Sequence, residues 1–174
     1  HGYSACLSTQ VGFKMGCIFC ASTLKGVKRN LTAGEMLGQI YALQNYSKNR
    51  ITNVVLIGSG EPLDNYEETI KFLKLATDEK GLNLSVRNIT LSTCGLADKV
   101  KKLAHEGFQI TLAISLHSPY NESRSMIMPV NRKFDIQALM EAVDYYIKVT
   151  GRRVTFEYAL INGVNDKDED ANAL

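Results

Sequence analysis

The stretch Ile110 to His117 (ITLAISLH) limits what this chain can fold into more than any other. Successive side chains of a strand point to opposite faces. One face here carries Ile110, Leu112, Ile114 and Leu116; the other carries Thr111, Ala113, Ser115 and His117. Asn88 to Thr93 splits the same way, with Ile89 and Leu91 against Asn88, Thr90 and Ser92. In Arg153 to Ile161, Thr155 and Glu157 oppose Phe156, Tyr158 and Leu160. A parallel sheet with helices on both sides buries apolar residues on both faces. A small, polar second face is what a barrel needs if it encloses a ligand cavity.

Helical patterns separate these strands. Thr32-Ala33-Gly34-Glu35 reads as a capping box, followed by Met36, Ile40 and Leu43 at helical spacing. Asp64 and Glu67 are expected to cap a second helix running through Ile70, Leu73 and Ala76. A short helix is expected to end near His105, with Gly107 beyond it. Asp135 caps an amphipathic helix through Ile136, Leu139, Met140, Val143, Tyr146 and Ile147, closed by Gly151. Two further strands, Tyr3 to Val11 and Asn53 to Gly58, complete about five strand–helix units. That order predicts an α/β fold, a partial (β/α) barrel.

The chain starts at His1 rather than Met, and Asp166 to Leu174 reads as a helix barely begun. Residues 1–174 are therefore expected to be one core domain cut from a longer protein at both ends. No apolar run reaches membrane-spanning length, and no signal peptide opens the chain. The net charge of +2 carries little information about partners. The basic group Lys25, Lys28 and Arg29 is notable for standing beside a cysteine pair. Four cysteines without a signal sequence point to the reducing cytoplasm.

That pair is Cys17-x-x-Cys20, in the loop Phe13-Lys14-Met15-Gly16-Cys17-Ile18-Phe19-Cys20. Spacing alone leaves four readings: half a zinc site, a dithiol, part of an iron–sulfur site, or two incidental cysteines. Structural zinc wants a second close pair, and Cys6, Cys94 and the three histidines are scattered. A thioredoxin-like dithiol sits at a helix start, whereas Ala21 to Asn30 reads as loop. Taken alone, Cys6 and Cys94 read as buried structural cysteines.

The segment from Ala5 to Thr23 (ACLSTQVGFKMGCIFCAST) resembles the cluster loop of the radical S-adenosylmethionine (SAM) adenine carbon-2 RNA methyltransferases. The resemblance continues through Arg29-Asn30-Leu31, Gly58-Ser59-Gly60-Glu61-Pro62-Leu63, Leu91-Ser92-Thr93-Cys94-Gly95, Ala113 to His117, Met128-Pro129-Val130-Asn131 and Gly163 to Asp166. It spans essentially the whole chain, in order.

The resemblance implies a radical SAM partial barrel, a [4Fe–4S] cluster and SAM as cofactors. It implies 23S rRNA, and in some bacteria tRNA, as substrates, with a flavodoxin- or ferredoxin-type electron donor, in a cytoplasmic monomer. In the family three thiolates of a Cys-x3-Cys-x2-Cys motif hold the cluster, and reduction cleaves SAM to a 5′-deoxyadenosyl radical. Cys17 and Cys20 match the second and third ligands, while Phe13 stands at the first. Gly60, Glu61, Ser92, Ser115, Leu116 and His117 match SAM contacts. Cys6 matches a catalytic cysteine that works with a methyl-carrying cysteine near the family's C-terminus, beyond this sequence. Phenylalanine cannot ligate iron, so the chain as written is expected to assemble a normal cluster poorly. A sister activity, methylation at adenine carbon-8, has a very similar loop.

Overall fold

The apolar faces of Ile110 to His117 and Asn88 to Thr93 turn toward covering helices, whereas in the last strand Phe156 and Leu160 are exposed and Tyr158 lines a cavity. The computed structural model describes residues 2–174. Strand β1 (Tyr3–Leu7) is followed by a two-stranded antiparallel ribbon, β2 (Gln10–Val11) and β3 (Arg29–Asn30). Then come α1 (Ala33–Ser47), β4 (Ile51–Leu56), α2 (Tyr66–Thr77), β5 (Ile89–Thr93), α3 (Ala97–Leu103) and β6 (Thr111–Ser115). The chain continues through α4 (Asn121–Ile127), α5 (Ile136–Thr150), β7 (Val154–Glu157) and α6 (Asp168–Ala173). The main sheet has five strands in the order β1-β4-β5-β6-β7, and every pair is parallel. Strands that follow one another in sequence and lie side by side give the partial (β/α) barrel expected.

The core lies between the sheet and its helices. Leu7, Val54, Leu56, Ile89, Leu91, Leu112 and Ile114 are fully buried there. Against them pack Met36 and Ile40 of α1, Phe72 and Leu73 of α2, Val100 of α3, and Leu139 and Tyr146 of α5. The opposite sheet face carries Thr90, Thr111, Ser92, Ala113 and Thr155 in register.

Local rules held at two helix starts. The Thr32 hydroxyl accepts from Glu35 N at 3.2 Å, and the Glu35 carboxylate accepts from Thr32 N at 2.9 Å. The Asp135 carboxylate accepts from Ala138 N at 2.8 Å. Elsewhere tertiary contacts overrode them. Asn65 stands at the N-cap of α2, and its amide instead donates to Thr9 O and Leu31 O. Asp64 turns away from the helix to Lys14 at 2.8 Å and Gln10 at 2.7 Å. The expected strand Tyr3 to Val11 breaks after Leu7, because Thr9 N and Gln10 N both turn to Ser59 O. Leu43 and Ile147, read as core-facing, are more than a third exposed.

Candidate active site

Above the C-terminal ends of the parallel strands lies a cavity of about 430 Å³. The cysteine loop forms one wall through Phe13, Cys17, Phe19 and Cys20. Strand ends form the rest: Gly60 and Glu61 after β4, Ser92 to Cys94 at β5, Ser115 and His117 at β6, and Glu157 at β7. This is the edge at which parallel α/β barrels place their chemistry.

Protein atoms hold the loop down. Gly12 N donates to Ser59 Oγ at 3.1 Å, Gly16 N to Thr23 Oγ1 at 3.1 Å, and Ile18 N to Ile127 O at 3.0 Å. Gly12 has φ +90°, and a Cβ there would fall 1.9 Å from Gly26 O, so only glycine lets the loop's two ends meet. Gly60 has φ +105°, with a Cβ position 2.6 Å from Gln10 N. That close approach lets the Gln10 side chain accept from Glu61 N at 2.9 Å and fix the turn.

Glu61 is 2% exposed. Its carboxylate accepts from Leu63 N at 3.0 Å and Cys94 N at 2.8 Å. Burial pushes its affinity for a proton above the ordinary carboxylate value, and these backbone donors work against that shift. The Cys17 thiol is pushed up to about 11 by burial and then by neighbouring Cys20. Burial, followed by Glu61, raises Cys94. His117 takes the left-handed conformation at φ 56°. Its Nδ1 accepts from Ala159 N at 3.0 Å, which leaves the ring proton on Nε2. Burial lowers its pKa, so the ring stands neutral, edge-on to Phe19 with centroids 5.0 Å apart.

Gly60, Glu61, Ser92, Ser115 and His117 therefore meet in one cavity with Cys17 and Cys20. Leu116 does not line it. Its side chain belongs to the core, and its carbonyl accepts from Arg124 Nε at 3.0 Å. Cys6 also lies outside the lining: it is exposed on β1, paired in register with Val55. It is thus not the buried strand cysteine that its apolar surroundings suggest. Cys94 is buried as expected, and it also lines the cavity.

Two residues of the site escaped sequence reasoning. Glu157 accepts from Ser92 Oγ at 2.7 Å and Ser115 Oγ at 3.1 Å, both on the same oxygen, Oε2. Its place on the polar face of the last strand was the available signal. Arg124 is fully buried beneath the cavity and donates to Leu116 O, Ser115 O, Cys94 O and Asn131 Oδ1. Nothing in its local sequence marks a buried cation.

The family model described as the radical SAM superfamily matches residues 8–174. The chain is 57% identical over 174 residues to a Clostridium novyi (strain NT) protein named "Probable dual-specificity RNA methyltransferase RlmN". It is 59% identical to the protein of the same name from Alkaliphilus oremlandii (strain OhILAs). All of the chain is covered in both comparisons, and it spans 51% of each relative's length. The crystal structure of a radical SAM methyltransferase from Sphaerobacter thermophilus superposes with a TM-score of 0.94 at 46% identity. That match covers 98% of this chain and 51% of the other.

Proposed function

This chain belongs to the radical SAM superfamily, and from that premise we propose that it is the SAM-binding core of an RNA methyltransferase acting on carbon-2 of an adenine in 23S rRNA, and also in tRNA. Membership implies a [4Fe–4S] cluster and SAM. The observation that supports the reading is the convergence of Cys17, Cys20, Gly60, Glu61, Ser92, Ser115, His117 and Glu157 on one cavity.

The residues fit SAM. Glu61 and Glu157 offer carboxylates to its cationic groups, and Ser92 and Ser115 offer hydroxyl oxygens. Phe19 and Tyr158 add apolar surface for a base. A three-thiolate cluster is not met. Phe13 lines the cavity at the first ligand position, 8% exposed and packed with Ile127, Met128 and Val130. A phenyl ring offers iron no lone pair. Cys17 and Cys20 are then the two remaining ligands of the loop.

Cys6 is assigned to the resolution of a covalent link between RNA and a methyl-carrying cysteine elsewhere in the whole protein. A thiolate can serve there as base or nucleophile. The reading includes a cytoplasmic monomer that takes electrons from a flavodoxin or ferredoxin. Among the described residues no helix is long and apolar enough to cross a membrane.

The buried Phe13 favours a second reading, a homologue that keeps SAM and RNA contacts without turnover. The full-length protein, with Phe13 and as Phe13→Cys, separates the two after anaerobic iron–sulfide reconstitution. The first reading expects [4Fe–4S] absorption and 2-methyladenosine, identified by nucleoside mass spectrometry, from Phe13→Cys. It is rejected if that version stays colourless and iron-free. The second is rejected if the Phe13 protein methylates RNA. The appearance of 8-methyladenosine instead moves the assignment to carbon-8.

A further inference from the structure

We propose that this chain binds SAM without iron, with Phe13 replacing a metal-bound thiolate as the anchor of the cysteine loop and with the cavity's carboxylates selecting the sulfonium cation. The proposal rests on the reading of the cavity as a SAM site, and it goes beyond that reading by separating binding from the cluster.

The first observation is how the loop is closed. Phe13 is 8% exposed and Cys17 4%, and both belong to an apolar cluster with Cys94, Ile127, Met128 and Val130. Met15, Cys20 and Phe134 pack against its edge. Around it the loop backbone is tied by Gly12 to Ser59, by Gly16 to Thr23 and by Ile18 to Ile127. The Lys14 ammonium meets Asp64 at 2.8 Å. These contacts join the loop to the turn after β4, to its own return and to the end of α4. A phenyl ring buried in such a cluster takes apolar surface out of water, which favours an ordered loop where a thiolate would otherwise fasten it through metal.

The second observation is charge. Among the described residues, Glu61 and Glu157 line the cavity and no Lys or Arg does. His117 is neutral, since its Nδ1 accepts a backbone N–H and burial opposes a second proton. Arg124 directs its donors at Leu116, Ser115, Cys94 and Asn131 below the cavity. A cavity with two carboxylates and no cation attracts a positively charged guest. SAM brings a sulfonium and an ammonium, whereas S-adenosylhomocysteine has lost the sulfonium charge. Both Glu61 oxygens accept backbone N–H groups, from Leu63 and Cys94, an arrangement that suits the ionised carboxylate.

The test uses the full-length protein, stripped of iron by a chelator under anaerobic conditions. Isothermal titration with SAM and with S-adenosylhomocysteine is run beside amide hydrogen exchange of residues 12–28. One cation near a poorly solvated carboxylate corresponds to roughly tenfold in affinity. The iron-free protein is therefore expected to bind SAM about tenfold more tightly than S-adenosylhomocysteine, with its loop protected before and after iron is supplied. Phe13→Ala is expected to lose loop protection and weaken SAM binding about tenfold. Phe13→Leu, which keeps an apolar anchor, retains both. Phe13→Cys is expected to show loop protection only once iron is present. SAM binding that appears only with iron, or equal affinity for the two nucleosides, overturns the proposal. Failure of the methyltransferase reading looks different: reconstituted Phe13→Cys protein produces no methylated adenosine, while SAM still binds the iron-free chain.

Discussion

Replacing Arg124 tests whether the cavity floor depends on a single buried cation. Its guanidinium donates to Leu116 O at 3.0 Å, Asn131 Oδ1 at 2.8 Å, Cys94 O at 2.9 Å and Ser115 O at 3.1 Å. These acceptors belong to the end of β6, the turn after β5 and the segment after α4, so one side chain braces three parts of the site. Among the described residues no carboxylate pairs with it. Arg124→Met strands three buried acceptors and one half-buried one at about 1–3 kcal/mol each, roughly 4–12 kcal/mol gross. Relief from burying the charge returns several kcal/mol, leaving a net loss of about 3–5 kcal/mol. At roughly 2–4 °C per kcal/mol for a chain of this size, the midpoint of thermal unfolding falls by about 6–20 °C. Circular dichroism melts of the full-length protein at fixed concentration measure it. Arg124→Lys keeps the charge but cannot reach all four acceptors, and should fall between the two. A shift of Arg124→Met below about 3 °C refutes the reasoning, because the stranded carbonyls would then have found other partners at little cost.

Gly12→Ala drives a methyl group into Gly26 O and imposes φ +90° on a residue with a side chain, so stability should drop by about 2–3 kcal/mol in urea melts. The Arg29 guanidinium meets Glu35 at 2.7 and 2.8 Å and holds its carboxyl down to about 2. Because that folded value lies below the unfolded one, the stabilisation is complete above the ordinary Glu range. It is lost as pH falls through about 2. Arg29→Gln should raise the Glu35 titration midpoint in side-chain carboxyl NMR, and an unmoved midpoint contradicts the pairing.

Much of the barrel was legible because its evidence is local and periodic. The alternation in Ile110 to His117 told the sheet's two sides apart, and Ile89, Leu91, Leu112 and Ile114 are buried as it requires. The Thr32 and Asp135 caps are written in the four residues that make them. What escaped is set by distant partners. β2 and β3 have two residues each, too few for a period, and exist because each pairs with the other. Helix α4 (NESRSMI) turns Arg124 inward, so its polarity pattern reads as surface. Asp64 has the chemistry of a cap and spends it on Lys14 and Gln10. Of the site, the segments that carry the resemblance were visible, whereas the Glu157 contacts depend on two serines far away in sequence.

Those two serines have only one proton each to give. A hydroxyl is a single donor with two lone pairs, and Ser92 and Ser115 both direct their proton at Glu157 Oε2. What the trio turns toward a guest is therefore lone pairs alone, three oxygen-bearing groups that accept and none that donates. Ligand hydroxyls and amines find partners on this wall. A carbonyl, a ring nitrogen lone pair or a phosphate oxygen finds none unless it first breaks a bond to the carboxylate. Discrimination by hydrogen-bond polarity is thus set before any ligand arrives, by three side chains from three adjacent strands that agree on where their protons go.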